Sequence, residues 1–320
     1  MNVSSKLFYS FLFILMASSS TGTGTGTGSS FVKPATLSDI KTDETVVFFN
    51  TSAWFDTDKA QWHLPIHGWI YEPEDSIVRR QVIEKTLQAT LGLVVTDASE
   101  QTFKQRLNLL LADNERGKTL VITFSDRRYV LNASSANGHF KHELIVDESI
   151  IDQAIAGQGI ADKATVDNGH NDNTASQGQL TFQAVMPEGD SRKFMGVVNL
   201  VKPKGLSIIS DIDDTIKLSQ VTDRKALLNN TFFEDFKAVS GMAALYQEWL
   251  GGEGSLHYVS SSPWQLYPAL LPFLNDSGFP DASFALKDFR FKDSSILNLF
   301  KKSSETKPPQ IKQILNTYPD

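Results

Sequence analysis

Polar and apolar positions divide the chain into stretches of different character. Short apolar runs rich in β-branched and aromatic residues, Val46–Phe49 and Leu64–Tyr71, predict strands. Val82–Leu91 and Thr102–Leu111 repeat their apolar residues at helical spacing and predict two helices. Strand patterns return at Thr119–Phe124, Arg128–Asn132 and Phe140–Val146, and the turn composition of Ser134–Gly138 predicts a hairpin joining the last two. Ile160–Gly178 is polar and predicts a surface loop, after which Leu180–Val185 and Phe194–Val201 complete the region. Residues 35–203 thus predict a β-rich, mainly antiparallel domain with two helices.

The pattern changes at Lys204–Gly205. Strand-like Leu206–Ser210, Leu256–Val259 and Phe284–Leu286 alternate with helix-like Gly241–Leu250 and Leu266–Leu274. Such alternation predicts an α/β domain over 204–320, a parallel sheet covered by helices with right-handed crossovers.

The first residues predict an address rather than a fold. Lys6 precedes the apolar run Leu7–Ala17 and the small residues Ser18–Ser20, the order of a secretory signal. The run falls short of the ~20 residues that span a bilayer. We therefore expect 1–20 to be a signal peptide, 21–34 a Thr/Gly/Ser-rich linker, and the protein to be exported, periplasmic or secreted, with a peripheral place at a membrane left open.

Composition narrows the chemistry. The chain has 320 residues, a net charge of −7 and no cysteine. Thiol catalysis, disulfides and thiolate metal sites are excluded, and no global positive charge attracts nucleic acid.

The candidate chemistry starts in LSIISDIDDTIK, Leu206–Lys217. Asp211 and Asp213 follow a buried-strand pattern at i and i+2, so both face one side of an extended chain. Strand ends of this kind form the ligand crevice of open α/β sheets. Paired carboxylates there suit Mg2+, one attacking phosphorus while the other handles protons. Downstream, Ser260 emerges at the end of a second predicted strand, and Ser262 with Pro263 predicts the cap and first turn of a helix. Lys307 precedes Pro308-Pro309 and a helical Gln310–Leu315, an unfavourable place for a cation unless it serves another group. Taken alone, the first of these reads as a plain capping cluster and the second as a solvated surface lysine.

An aspartate pair, then a serine, then a lysine, each at the end of a strand or the start of a helix, resembles the haloacid-dehalogenase superfamily. SDIDDTIK, GMAALYQEWL and YVSSSPWQLYPALLPFL resemble the catalytic domain of the actin-patch-type, magnesium-dependent phosphatidate phosphatases, and PIHGWIYEPE resembles the β-rich region found with it. The resemblance implies a haloacid-dehalogenase-like sheet and hydrolysis of phosphatidate to diacylglycerol and phosphate. It implies Asp211 as the nucleophile and Asp213 as general acid and base, with Mg2+ held by Asp211 and the main-chain carbonyl of Asp213. Thr215 would brace the loop, Ser260 would bind the phosphoryl group and Lys307 would neutralise its charge, while Ile216–Ser240 would form a small cap. The implied partner is phosphatidate or another lipid phosphate at a membrane surface, with no nucleic acid.

One departure belongs to the same reading. The superfamily has a further strand ending in Gly-Asp-Ser, whose aspartate completes the metal shell, and no such segment appears by Asn316–Asp320. The expectation is an incomplete C-terminal domain with its catalytic strand on a sheet edge. A rival from another class stays open: a non-catalytic lipid- or partner-binding protein carrying a relic phosphatase domain. His63 and His67, and His139 and His142, read as core or solvated histidines rather than metal ligands. Trp264, Tyr267 and Phe273 read as helix packing or as contacts to a lipid tail.

Overall fold

A single long strand with two buried faces organises the molecule. The computed structural model describes residues 37–74, 76–165, 178–252, 254–289 and 303–318. The expected signal peptide and linker, and residues 166–177 of the expected surface loop, lie outside the described residues.

The organising strand is β3 (Gln61–Glu72). Its even positions Leu64, Ile66 and Ile70 enter one core, and Trp69 and Tyr71 enter another. Side chains alternate across a strand, so burial on both faces produces the continuous apolar run seen in the sequence. β1 (Thr45–Phe49) repeats the division, with Val46 and Phe48 in the first core and Phe49 in the second.

Along one edge β3 pairs with β1 and with β2 (Thr51–Asp56); along the other it pairs with β7 (His139–Asp147), all antiparallel. A short β4 (Asp113–Asn114) extends its end. β2 then joins β9 (Met195–Leu200) in parallel, and β9 leads through β8 (Gln179–Ala184) and β5 (Val121–Phe124) to β6 (Arg127–Val130). Phe48 meets Phe140 and Phe182 edge-on at 5.6 and 4.9 Å, which ties the two halves of this sheet into one core.

The hairpin expected between 128–132 and 140–146 does not form. Ser125 and Asp126, both at positive φ (48° and 56°), instead close a two-residue turn between β5 and β6. β7 pairs with β3 from Gln61↔Asp147 to Trp69↔His139. Burial decides this partner: Phe140, Leu144 and Val146 reach the core shared with Leu64 and Ile66. Part of the predicted loop is helical as well, because α3 runs Glu148–Thr165 and sends Ile150, Ile151 and Ala154 into the same core.

The second sheet is parallel, in the order β10 (Ser207–Ser210), β11 (Ser255–Pro263) and β12 (Ser283–Lys287). Within it β10 is an end strand and β11 the centre. The helices are α1 (Ile77–Leu91), α2 (Glu100–Leu111), α4 (Arg224–Phe232), α5 (Met242–Leu250), α6 (Tyr267–Asp276) and α7 (Ser303–Thr317). The fold is therefore mixed α/β.

The parts before and after residue 203 share apolar cores. Phe49 packs on Trp264 at 4.3 Å, and the Tyr267 hydroxyl accepts a hydrogen bond from the Asn50 backbone at 3.0 Å. Trp264 and Tyr267 are buried in this core, which accounts for them without a lipid. α4, in the expected cap region, presses Leu228 and Phe232 against Leu87, Phe103 and Leu107 of α1 and α2. Arg106 of α2 donates to the carbonyls of Thr231 and Glu234 at 2.7 and 2.6 Å and lies over the Phe236 ring. Burial pulls its guanidinium down to about 10, against the raising effect of Asp235.

Candidate active site

The loop after β10 is shaped by its own sequence before any ligand is considered. Ile212 and Ile216 are fully buried and anchor it. The backbone N–H groups of Ile216 and Lys217 both donate to the Ile212 carbonyl at 3.0 Å, and that of Asp214 donates to the Lys217 carbonyl at 2.7 Å. Asp214 occupies the left-handed region (φ 59°), which aspartate tolerates better than most residues. Its carboxylate accepts from the backbone of Ser219, Gln220 and Val221 at 2.7–2.8 Å. Burial would raise its pKa, but these three bonds outweigh it and the net shift is downward. Asp214 thus holds the loop rather than facing a substrate.

Asp211 and Lys307 meet although 96 positions separate them: Lys307 Nζ donates to Asp211 Oδ2 at 2.6 Å. The other oxygen of Asp211 accepts from the Ile212 backbone at 2.8 Å. About a third of the Asp211 side chain is open to solvent, at 34%. Lys307 lies within α7, which begins at Ser303, and not ahead of the helix as its prolines suggest. Pro308 and Pro309 fall inside the helix, at its sixth and seventh positions, where each removes an internal backbone hydrogen bond.

Asp213 is differently surrounded. Its Oδ1 lies 2.8 Å from Lys217 Nζ and accepts from Ser219 Oγ at 2.7 Å. Its Oδ2 accepts from Ser260 Oγ at 3.1 Å and Ser262 Oγ at 3.0 Å. Lys217 also contacts Ser219 Oγ and faces the Phe236 ring at 4.9 Å. Burial alone would push the Asp213 carboxyl up. The Lys217 charge and the bonds from Lys217, Ser219 and Ser262 reverse that, so its pKa falls below the ordinary value.

The expected helix cap at Ser262 is corrected here. β11 continues through Pro263 and a 3-10 turn, Trp264–Leu266, separates it from α6. The extended chain brings Ser260 and Ser262 to the same side, and both hydroxyls turn to Asp213. For Thr215 the structure gives a backbone bond to the Ile212 carbonyl at 3.3 Å.

The site therefore unites Asp211 with Lys307 and Asp213 with Ser260. Sequence reasoning overlooked Lys217 and Ser219 and read Ser262 only as a helix cap. A lysine four positions after Asp213 in DDTIKLS was the available signal, but an acidic loop gives no cue that the lysine folds back and is buried. Among the described residues no group of three or more His, Asp or Glu side chains converges as a metal cage. His63 and His67 form no ligand pair. Instead His67 Nε2 meets His139 Nδ1 at 3.1 Å, both rings buried, and burial holds His67 well below its ordinary range.

Comparison with known proteins agrees on the C-terminal part. Residues 206–320 match the family model for the catalytic domain of phosphatidate phosphatase APP1. An uncharacterized protein of Schizosaccharomyces pombe is 28% identical over 115 residues, covering 33% of this chain and 19% of that protein. Phosphatidate phosphatase APP1 of Saccharomyces cerevisiae is 31% identical over 125 residues, covering 38% of this chain and 21% of that protein. The chain spans about a fifth of the length of these curated relatives. The aspartate loop, the serines of β11 and Lys307 all fall inside the segment that is similar to the catalytic domain of phosphatidate phosphatase APP1.

Proposed function

We propose that this protein is a magnesium-dependent phosphohydrolase of haloacid-dehalogenase-like fold. It converts phosphatidate to diacylglycerol and phosphate through an aspartyl-phosphate on Asp211. The observation that carries the reading is the Asp211–Lys307 contact of 2.6 Å beside the buried Asp213, at the end of a parallel strand.

The donor set fits Mg2+ in part. The Asp211 carboxylate is accessible, and the backbone ladder uses the carbonyls of Ile212 and Lys217 while leaving that of Asp213 unengaged among the described residues. One carboxylate, one carbonyl, waters and phosphate oxygens are a common magnesium set. The Asp213 side chain does not belong to it, since both its oxygens already accept from Lys217 and serines. A bound Mg2+ would offset charge on the phosphoryl oxygens.

The chain's own residues divide the work. Asp211 Oδ attacks phosphorus, the bond from phosphorus to the glyceryl oxygen breaks, and the leaving oxygen takes a proton. Lys307 sits where it neutralises charge on both the nucleophile and the phosphoryl group. Water then cleaves the acyl phosphate, returning Asp211 and releasing phosphate, and Asp213 takes its proton. A lowered pKa keeps Asp213 ionised and open to a proton while making it a weaker base. To protonate the leaving oxygen, Asp213 must first gain a proton, which loosening of the Lys217 contact would favour. The N-terminal signal-like segment supports export, with the substrate met at a membrane surface.

Phosphate release by the full chain from phosphatidate in mixed micelles tests the reading, alongside glycerol 3-phosphate and p-nitrophenyl phosphate. We expect Mg2+-dependent release that is fastest on phosphatidate and abolished by EDTA. Release indifferent to EDTA, or none from phosphatidate, would overturn it.

A further inference from the structure

Helix α1 is apolar on two opposite faces. On one, Ile83 and Leu87 are buried in a core with Leu228 and Phe232 of α4. On the other, Val78 and Val82 stand 71% and 60% exposed, with Ile77 beside them at 59%. Val78, Val82, Lys85 and Ala89 recur at i, i+4, i+7 and i+11, so they form one stripe down the helix. A helix packed on one side needs only one apolar stripe, and the second calls for a partner of its own.

Charge says which partner. The chain as a whole is acidic, with a net charge of −7, yet α1 carries Arg79, Arg80 and Lys85 against Glu84 alone. Both arginines lie in the first turn, which holds no acid and where the helix dipole disfavours cations, so helix stability does not account for them. Lys85 stands exposed within the stripe itself. At the other end Lys225 of α4 reaches over Gly92, the residue that closes α1. Apolar side chains interleaved with Lys and Arg are what a helix lying in the interface of an anionic bilayer presents. A second copy of the chain fits less well, because a two-fold contact would set these cations against their own copies.

α4 links this helix to the catalytic loop. Asn230 of α4 donates to the Ser219 carbonyl at 3.2 Å, and Ser219 Oγ donates to Asp213 at 2.7 Å. Leu218 and Val221, on either side of Ser219 in the loop, are each 47% exposed. We propose that the outer face of α1 docks the protein on the surface of an anionic lipid bilayer, with Leu218 and Val221 as the contact nearest the catalytic loop. The valines and Ile77 enter the boundary of the acyl chains while the cations meet lipid phosphates. Delivery of a lipid to Asp211 from that surface rests on the phosphatase reading; the docking itself does not.

The chain has no cysteine, so Val82→Cys creates a unique attachment point for a polarity-sensitive fluorophore. Val130→Cys on β6, 49% exposed, is the control. The full chain with each label is titrated with vesicles of phosphatidylcholine alone, and of phosphatidylcholine and phosphatidylglycerol in about equal parts. Neither contains phosphatidate. We expect a saturable blue shift from the Val82→Cys label on the anionic vesicles, at least about tenfold weaker on phosphatidylcholine alone and reduced by salt. The Val130→Cys label should stay unshifted. Adding Val78→Gln and Lys85→Glu should weaken binding by a further factor of about ten, with the circular dichroism spectrum unchanged. No shift from the Val82→Cys label, an equal shift from the control, or indifference to the added substitutions would overturn the proposal. So would a shift that follows protein concentration without lipid, which would mean that a second copy covers the face. No substrate is present and no turnover is read, so failure here leaves the phosphatase reading standing, and an inactive protein could still dock.

Discussion

Lys217 Nζ and Asp213 Oδ1 lie 2.8 Å apart on one loop, the lysine only 2% exposed and the aspartate side chain 11%. The lysine supplies the charge that keeps a buried carboxylate ionised. Removing one member of a buried pair leaves the other uncompensated, at a cost of about 3–5 kcal/mol. Lys217→Met should therefore lower unfolding free energy by roughly that amount at pH 7, measured in urea, and adding Asp213→Asn should recover much of it. If the single variant unfolds at wild-type denaturant, the pair does not carry the loop.

The same contact has a pH signature. The folded-state pKa of Asp213 is depressed, so its stabilisation is fully present above the unfolded value of about 4. It is lost as pH falls from there through the folded value. In catalysis the lysine should set the acid limb of kcat/KM. Lys217→Met should move that limb to higher pH, because the base loses the charge that favours its ionised form. A limb that stays in place would show that Asp213 is not the titrating base.

His257 makes the opposite part of the pH range informative. Burial lowers its pKa to about 4 from an ordinary 6.5. The unfolded chain gains a proton below 6.5 that the folded chain does not bind until about 4, so stability falls across that interval as pH drops. At 1.36 kcal/mol per pH unit the loss from this residue is about 3 kcal/mol by pH 4. His257→Gln should lack that component in urea melts at pH 7 and pH 4; an equal loss in both proteins would refute the assignment.

Gly68 in β3 sits between Phe48 and Phe140 in register, and a Cβ there would meet the Phe140 ring and lie 2.6 Å from the Val47 carbonyl. The neighbour on one side is backbone and cannot swing away. Gly68→Ala should destabilise by about 1–3 kcal/mol or more, as overpacked core sites do. Thermal unfolding checks it, and an unchanged midpoint would mean that the sheet spreads at this position without cost.

What the sequence made legible follows from which residues act locally. Strand β10 and the aspartates after it were readable because an apolar run ending in DIDDT is a local pattern. β3 was readable as a strand, but its two-faced burial was not, since that depends on β7 and α6 arriving from distant sequence. The false hairpin arose because Ser134–Gly138 has turn composition in a chain whose β7 finds better burial against β3. β2 and α4 were passed over: TSAWFD mixes polar and apolar positions without clear alternation, and α4 has polar residues on both sides of a short apolar stretch, Ala226–Leu228. Lys307 stood out locally only as a cation at an unfavourable helix start; its role came by analogy, and its meeting with Asp211 depends on a tertiary contact that no local pattern encodes.

The central claim is that Asp211 is the nucleophile, and one substitution addresses it. Asparagine keeps the size of the side chain and an oxygen for the Ile212 backbone bond, yet cannot form the acyl phosphate. Phosphate release from phosphatidate with Mg2+ should be measured for the full chain and its Asp211→Asn variant, with circular dichroism and melting compared alongside. The account predicts an unchanged fold and a fall in turnover of several orders of magnitude, as expected when the attacking group is removed. Near-normal turnover in the variant would contradict it.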